Sequence, residues 1–249
     1  MAIDYDRAAD LLLAARRNAH PIDNLPPECQ PATIEDAYAI QDRIITALGP
    51  IGGWKVGELS KGGPIACAPL HKANIRHSGT KLEIGALNDA GIEIEFAFRM
   101  ERDFPAMAQA YDRETILAGV SLCPLLEIIA TRFVNKGAVG MIDRLADTQS
   151  NGYMVVGAPI HDWRGIDLTR HEAELMIDGA QRQTSTTISP AGDPIELLVW
   201  QVNHCAGRGG MKTGDVITTG ALAGATTIVP GNIAEADFGQ LGRVSVSFI

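Results

Sequence analysis

Gly91-Ile92-Glu93-Ile94-Glu95-Phe96-Ala97-Phe98 alternates apolar and polar side chains with a period of two, the pattern of a β-strand buried on one face. The alternation places Ile92, Ile94 and Phe96 on one side and Glu93, Glu95 and Ala97 on the other, so two carboxylates project side by side. Two like charges this close on a partly buried face either raise a pKa or take up a cation. Oxygen ligands alone suit a hard ion such as Mg²⁺, Mn²⁺ or Ca²⁺. An exposed strand with two solvated glutamates would show the same short motif. Glu127 adds weight to the cation, because a carboxylate in the apolar run CPLLEIIA (123–130) needs a partner or an ion. Its plain alternative is a helix-end glutamate paired with Arg132.

Away from this strand the chain divides by texture. Leu11, Leu12 and Ala15, then Ala37, Ile40, Ile44 and Ile45, recur at helical spacing, and the proline-rich PIDNLPPECQP separates the two helices. Thr33, with Glu35 and Asp36 behind it, is a start signal for the second helix. Gly49, Pro50, Gly52 and Gly53 are expected to stop it, giving a helical region over 1–53 and a β-rich core over 54–249 in a single catalytic domain. In the core, 92–98, 153–160, 215–222 and 244–249 read as strands. The stretch 114–128 is expected to begin helical before leading into Glu127, and 194–206 reads as a helix with Pro194 in its first turn.

A chain that is 46% hydrophobic and 20% charged has the composition of a globular protein. Lys and Arg total 21 against 30 Asp and Glu, a formal charge of −9, so nucleic acid is not the expected partner. Cys29, Cys67, Cys123 and Cys205 form no metal-site spacing and are expected to be reduced. The opening residues carry acids among the apolar ones, unlike a secretory signal, and no run approaches the roughly 18 apolar residues of a membrane span. The expected location is cytoplasmic, with no membrane contact.

The ordered segments IEDAYAIQDRI, GGWKVGELS, GIEIEFAF, LLEIIATRF, DRLADTQSNGYMVVG, GDVITTGAL and PGN…FGQLGRVSVSF resemble the hydratase/decarboxylase branch of the fumarylacetoacetate hydrolase superfamily from about Thr33 onward. That resemblance implies an α+β fold with a β-rich mixed core, the family's β-roll, and an N-terminal helical region. It implies that Glu93, Glu95 and Glu127 hold Mg²⁺ or Mn²⁺ and that a small 2-oxo acid completes the coordination shell. A cation chelated in this way is a Lewis acid that stabilises an enolate. The implied reaction is hydration of a 2-oxo-4-enoic acid or decarboxylation of a 2-oxo-3-enedioic acid in aromatic-compound degradation. The alternatives are an acylpyruvate or fumarylacetoacetate type of C–C hydrolase, and a non-catalytic partner subunit of the same fold. A homo-oligomer is implied, as is association with a related pathway enzyme.

Lys55 stands where the family has an active-site lysine, and desolvation is expected to lower its pKa for proton transfer. The plain alternative is an exposed strand lysine. Ser150 and Asn151, with Asp147 in the same ADTQSNG segment, and Thr219-Gly220 resemble substrate-carboxylate contacts, although a local turn would use the same residues. The sequence departs from the family in PIACAPL, where Ala66 occupies the position of an expected acid. His71 and His77 are the nearby candidates for an acid/base, against the ordinary alternative of surface histidines. No nucleophile-elbow, P-loop or dinucleotide motif is present.

Overall fold

A computed structural model describes residues 2–185 and 192–249. The N-terminal helices form where the spacing places them. Helix α1 (Tyr5–Asn18) turns Ala8, Ala9, Leu12 and Leu13 inward. Helix α2 (Ile34–Leu48) starts with a capping box, in which the Thr33 hydroxyl accepts from the Asp36 N–H and the Asp36 carboxylate accepts from the Thr33 N–H. The Tyr5 hydroxyl donates to the same carboxylate at 2.6 Å and ties α1 to the start of α2.

Among the described residues the main sheet contains eight strands and curls. From one edge it runs β2 (Ile65–His71), β1 (Ile51–Glu58), β12 (Val216–Ala221), β5 (Gly91–Met100), β7 (Val120–Ile129), β8 (Asn151–Val156) and β3 (Ile75–His77), with β13 (Thr226–Thr227) also on β5. A second sheet orders β10 (Ala180–Thr184), β9 (Glu174–Ile177), β14 (Ile233–Asp237), β15 (Arg243–Phe248) and β4 (Thr80–Leu82). Two short strands, β6 (Phe104–Pro105) and β11 (Gly210–Met211), pair separately. Helix α3 (Arg113–Ala118) precedes β7, α4 (Met141–Ala146) precedes β8, and α5 (Pro194–Ala206) starts with Pro194 behind the Asp193 cap.

The alternation in β5 holds. Ile92, Ile94, Phe96 and Phe98 enter the largest core cluster with Phe238, Val244 and Val246 of the second sheet's region. Packing this face leaves Glu93, Glu95, Ala97 and Arg99 on the concave side of the curl. Helices α1, α2 and α4 share a second cluster with Ala66, so the helical region covers one end of the β-structure. Gln41 is buried in that joint, and its Nε2 donates to the carbonyls of Cys67 (3.2 Å) and Leu145 (2.6 Å). The α+β, β-rich core with N-terminal helices is therefore present as expected.

Two local expectations change. Within 114–128 only Arg113–Ala118 is helical, and the rest is the strand β7, buried along its whole length. A strand covered on both faces loses its alternation, and a continuous apolar run is then indistinguishable from a buried helix. Pairing with β8 ends at Leu125 opposite Val156, so the missing N–H of Pro124 falls just beyond that ladder. Secondly, β1 begins at Ile51, so Gly52 and Gly53 do not stop the helix but lie inside the strand. A Cβ on Gly53 would stand 2.2 Å from the Val216 carbonyl oxygen, and one on Gly52 would stand 2.8 Å from the Lys72 Cα. These glycines allow the backbones of β1, β12 and the segment after β2 to approach.

Because β1 carries Lys55, this close approach matters to the concave face. Gly53→Ala is expected to destabilise the fold by about 2 kcal/mol, within the range for overpacking a backbone contact. Equilibrium denaturation checks it, and wild-type stability would show that β1 and β12 can separate freely.

Candidate metal centre

Glu93 and Glu127 face each other directly across the β5–β7 pair, and Glu95 stands opposite Leu125 on the same face. One carboxylate oxygen of each lies within 4.8 Å of the others, close enough to hold one ion. Glu95 and Glu127 are fully buried, and Glu93 is half-buried. Lys55 enters from β1, three positions away in the sheet order, which is about 14 Å across a flat sheet. Its Nζ nevertheless donates to Glu127 Oε2 at 2.6 Å. Curling of the sheet and the reach of two long side chains close the gap.

Each carboxylate is held differently. Glu95 Oε2 accepts from the Thr218 hydroxyl and from the Gly220 N–H at 3.2 Å, whereas Glu95 Oε1 is buried without a hydrogen-bond partner among the described residues. An orphaned, buried carboxylate oxygen is costly and marks a place for a cation. Glu127 receives Lys55 on one oxygen and the Asn151 side-chain amide on the other, at 3.3 Å. Three ionised carboxylates and one ammonium leave two negative charges, the balance that a divalent ion neutralises. The oxygen-only donor set fits Mg²⁺ or Mn²⁺.

Burial pushes the Glu93 carboxyl up, and burial together with Glu127 pushes that of Glu95 well above the ordinary range. Lys55 moves opposite to the sequence-based expectation. Desolvation works against its charge, but Glu127, Glu93 and Glu95 outweigh it and hold the ammonium above its usual value. The lysine is charged because the carboxylates surround it.

The centre opens into a cavity of about 620 Å³ whose wall includes Lys55, Glu93, Lys136, Arg144, Ser150 and Gly220. Thr148, Gln149 and Ser150 all have positive φ, at 49°, 52° and 57°, an uncommon left-handed run of non-glycine residues. That turn points Gln149 and Ser150 toward the cavity. It is braced by the buried Asp147, which accepts from the Arg132 N–H at 3.1 Å and from its guanidinium. Arg132 in turn donates to the Asn151 carbonyl at 2.9 Å. Arg132 thus serves Asp147, not Glu127.

The concave face gathers Lys55, Glu93, Glu95, Glu127, Ser150, Asn151 and Gly220, with Asn151 buried behind Glu127 and not on the cavity wall. Thr219 is a correction, since its buried hydroxyl donates to the Phe96 carbonyl at 3.4 Å. Alternation along β12 gives the concave position to Thr218, and the same period-two reading applied to 215–222 would have found it. Gly220, at φ 90°, lets the strand turn and present its N–H. His71 and His77 are also displaced. His71 pairs with Ile51 at the far end of β1, and His77 lines a different cavity. Ala66 shares the face of Lys55 and is covered by the helical cluster, with its carbonyl 3.5 Å from Gln149 Nε2. Gln149, Lys61, Lys136 and Arg144 were not anticipated, because only the folded chain brings these separate segments to one cavity.

The raised carboxyls fix a sign for pH. In the absence of metal the fold binds protons that the unfolded chain has released above about pH 4.5, so this contribution to stability is lost as pH rises through the raised values. Mg²⁺ is therefore expected to stabilise the chain more at pH 8 than at pH 5.5, and Glu95→Gln to reduce the pH slope seen in chelator. Denaturation midpoints at both pH values test this, and equal slopes in the two proteins would detach Glu95 from the proton uptake.

A family model, the fumarylacetoacetate (FAA) hydrolase C-terminal family, matches residues 71–248. Among curated proteins, 2-keto-4-pentenoate hydratase of Paraburkholderia xenovorans is 26% identical over 256 residues, covering 98% of this chain and 94% of that one. The 2-hydroxyhexa-2,4-dienoate hydratase of Comamonas testosteroni is 27% identical over 259 residues, covering 97% and 95%. Among solved structures, 4-oxalocrotonate decarboxylase from Pseudomonas putida G7, complexed with magnesium and adipate, superposes with a TM-score of 0.84 at 22% identity, covering 98% and 97%. At that identity the likeness is one of fold.

Proposed function

The chain belongs to the fumarylacetoacetate hydrolase family, and on that premise we propose that it is a divalent-metal-dependent lyase acting on a small 2-oxo acid. The reaction is hydration of a 2-oxo-4-enoic acid or decarboxylation of a 2-oxo-3-enedioic acid, in the cytoplasmic degradation of aromatic compounds. The observation that carries the reading is the convergence of Glu93, Glu95 and Glu127 on one point beside Lys55, with two negative charges left over. The relatives named as hydratases span almost the whole chain and support the reaction class.

Glu93, Glu95 and Glu127 would hold Mg²⁺ or Mn²⁺, which when bound supplies Lewis acidity toward the oxygens of a 2-oxo acid. Thr218 and Gly220 fix the orientation of Glu95, and Asn151 that of Glu127. Lys61, Lys136 and Arg144 outnumber Glu58 on the outer wall, although Lys136 is also paired with Asp89 at 2.8 Å, and this balance suits an anionic substrate. Ser150 stands on that wall as a hydroxyl partner for the substrate carboxylate. Lys55, at the floor and 15% exposed, holds a proton within reach of a bound substrate. Among the described residues no histidine lines this cavity, which favours a lyase over a hydrolase that needs a His/acid pair to activate water.

The α1–α2 region and the β-rich core are proposed to work as one catalytic unit, joined through Gln41, and the chain to act as a homo-oligomer. No helix among the described residues is long and apolar enough to cross a membrane.

The full chain with Mg²⁺ separates the readings directly. Loss of dienol absorbance without cleavage supports the hydratase, CO₂ release the decarboxylase, and pyruvate from an acylpyruvate the hydrolase. Binding of a 2-oxo acid with no turnover would leave a partner subunit. Lys55→Ala is expected to lower kcat about 100-fold or more while still binding Mn²⁺. Wild-type turnover by that variant would remove Lys55 from the chemistry. Asn151→Ala should weaken cation binding by about tenfold, read by titration with Mn²⁺.

A further inference from the structure

The strands that build the carboxylate centre also build a second cavity at their opposite ends. On β5, Glu93 faces the first cavity and Arg99 the second. On β1 the corresponding residues are Lys55 and Gly52, and on β12 they are Gly220 and Val216. Six residue steps along the strand take Glu93 to Arg99, about 20 Å. Between them lies an apolar plug that includes Leu70, Ala97, Cys123, Leu125 and Met154, so the two cavities are separate compartments.

The second cavity has a volume of about 490 Å³ and is cationic where the first is anionic at its floor. Arg99 is half-buried, its Nε is buried with no hydrogen-bond partner, and its guanidinium makes no ion pair among the described residues. Lys72 and His77 stand on the same wall, and Asp215 is the one carboxylate there among the described residues. Asp215 already accepts from the Lys212 N–H at 2.8 Å, and no ion pair joins it to Arg99 or Lys72. A half-buried guanidinium on a cavity wall, with no carboxylate paired to it among the described residues, calls for an anion, since a partly desolvated cation gains charge-assisted bonds from a carboxylate or phosphate. Ile75, Val156 and Val216 line the remainder, leaving apolar wall for the rest of a small organic molecule.

We propose that this cavity is a second ligand site, selective for a small anion bearing a carboxylate or phosphate, with Arg99 as its principal contact and Lys72 as a supporting charge. The site is independent of the reaction assigned to the carboxylate centre.

Calorimetric titration of the full-length chain, freed of metal on a chelating resin so that no anion is held through a cation, tests this with inorganic phosphate and, separately, succinate. Saturable binding of either at one site per chain is expected, and which of them binds identifies the head group. Arg99→Gln should weaken it by at least about tenfold, the loss expected for a charge-assisted bond. Lys72→Gln should weaken it less, and Arg144→Gln in the other cavity should leave it unchanged. Absence of saturable binding by both probes overturns the proposal, as does binding that survives Arg99→Gln or is lost in Arg144→Gln. If Arg99→Gln fails to fold, the exposed Lys72 decides, and unchanged affinity in Lys72→Gln overturns it.

Discussion

Three carboxylates gathered around one ammonium set the terms for the rest of this structure. Glu95 and Glu127 are fully buried, Glu93 is half-buried, and among the described residues Lys55 is the one cation paired with them, Lys136 acting on Glu93 from further off. Burying like charges in this way opposes folding unless protons or a cation neutralise them. The fold accepts that cost at one place and surrounds it with rigid structure. Apolar side chains of β5 lock the opposite face of the strand in the core, and direct β5–β7 pairing sets the backbones of Glu93 and Glu127 opposite each other.

Support continues outward from the carboxylates. Asn151 holds Glu127, Arg132 holds the Asn151 carbonyl, and Asp147 holds Arg132. The same short segment carries three consecutive left-handed residues, a backbone arrangement that costs on the order of 1 kcal/mol per residue. Strain of this kind persists where surrounding contacts overdetermine it, and such sites are often functional. Here it points Gln149 and Ser150 at the cavity instead of letting 148–150 continue the preceding helix.

The curled sheet also explains how one set of strands serves two cavities. Side chains on the concave face of β5 pass from carboxylate to apolar to guanidinium along Glu93, Glu95, Ala97 and Arg99. A cation-seeking end and an anion-seeking end therefore lie on one strand face, kept apart by the apolar plug. Opposite charges so separated do not neutralise each other, and each end retains its own preference for a ligand.

The alternation in GIEIEFAF by itself determined the face of the strand and the pairing of Glu93 with Glu95, because the period of a strand is a property of its local backbone. Helical spacing likewise determined the N-terminal helices and the Thr33 cap, and short alternating runs the β content of the core, whereas the β-roll came from the family resemblance. The partner of Glu127, the position of Thr218 in place of Thr219, and the departure of His71 and His77 from the centre depended on register and curl. Those are set by contacts among residues as distant in sequence as 55 and 127, and no local period carries them. The charge of Lys55 shows the same division: its position in a strand was local, but its raised pKa was decided by three carboxylates that only the tertiary structure brings to it.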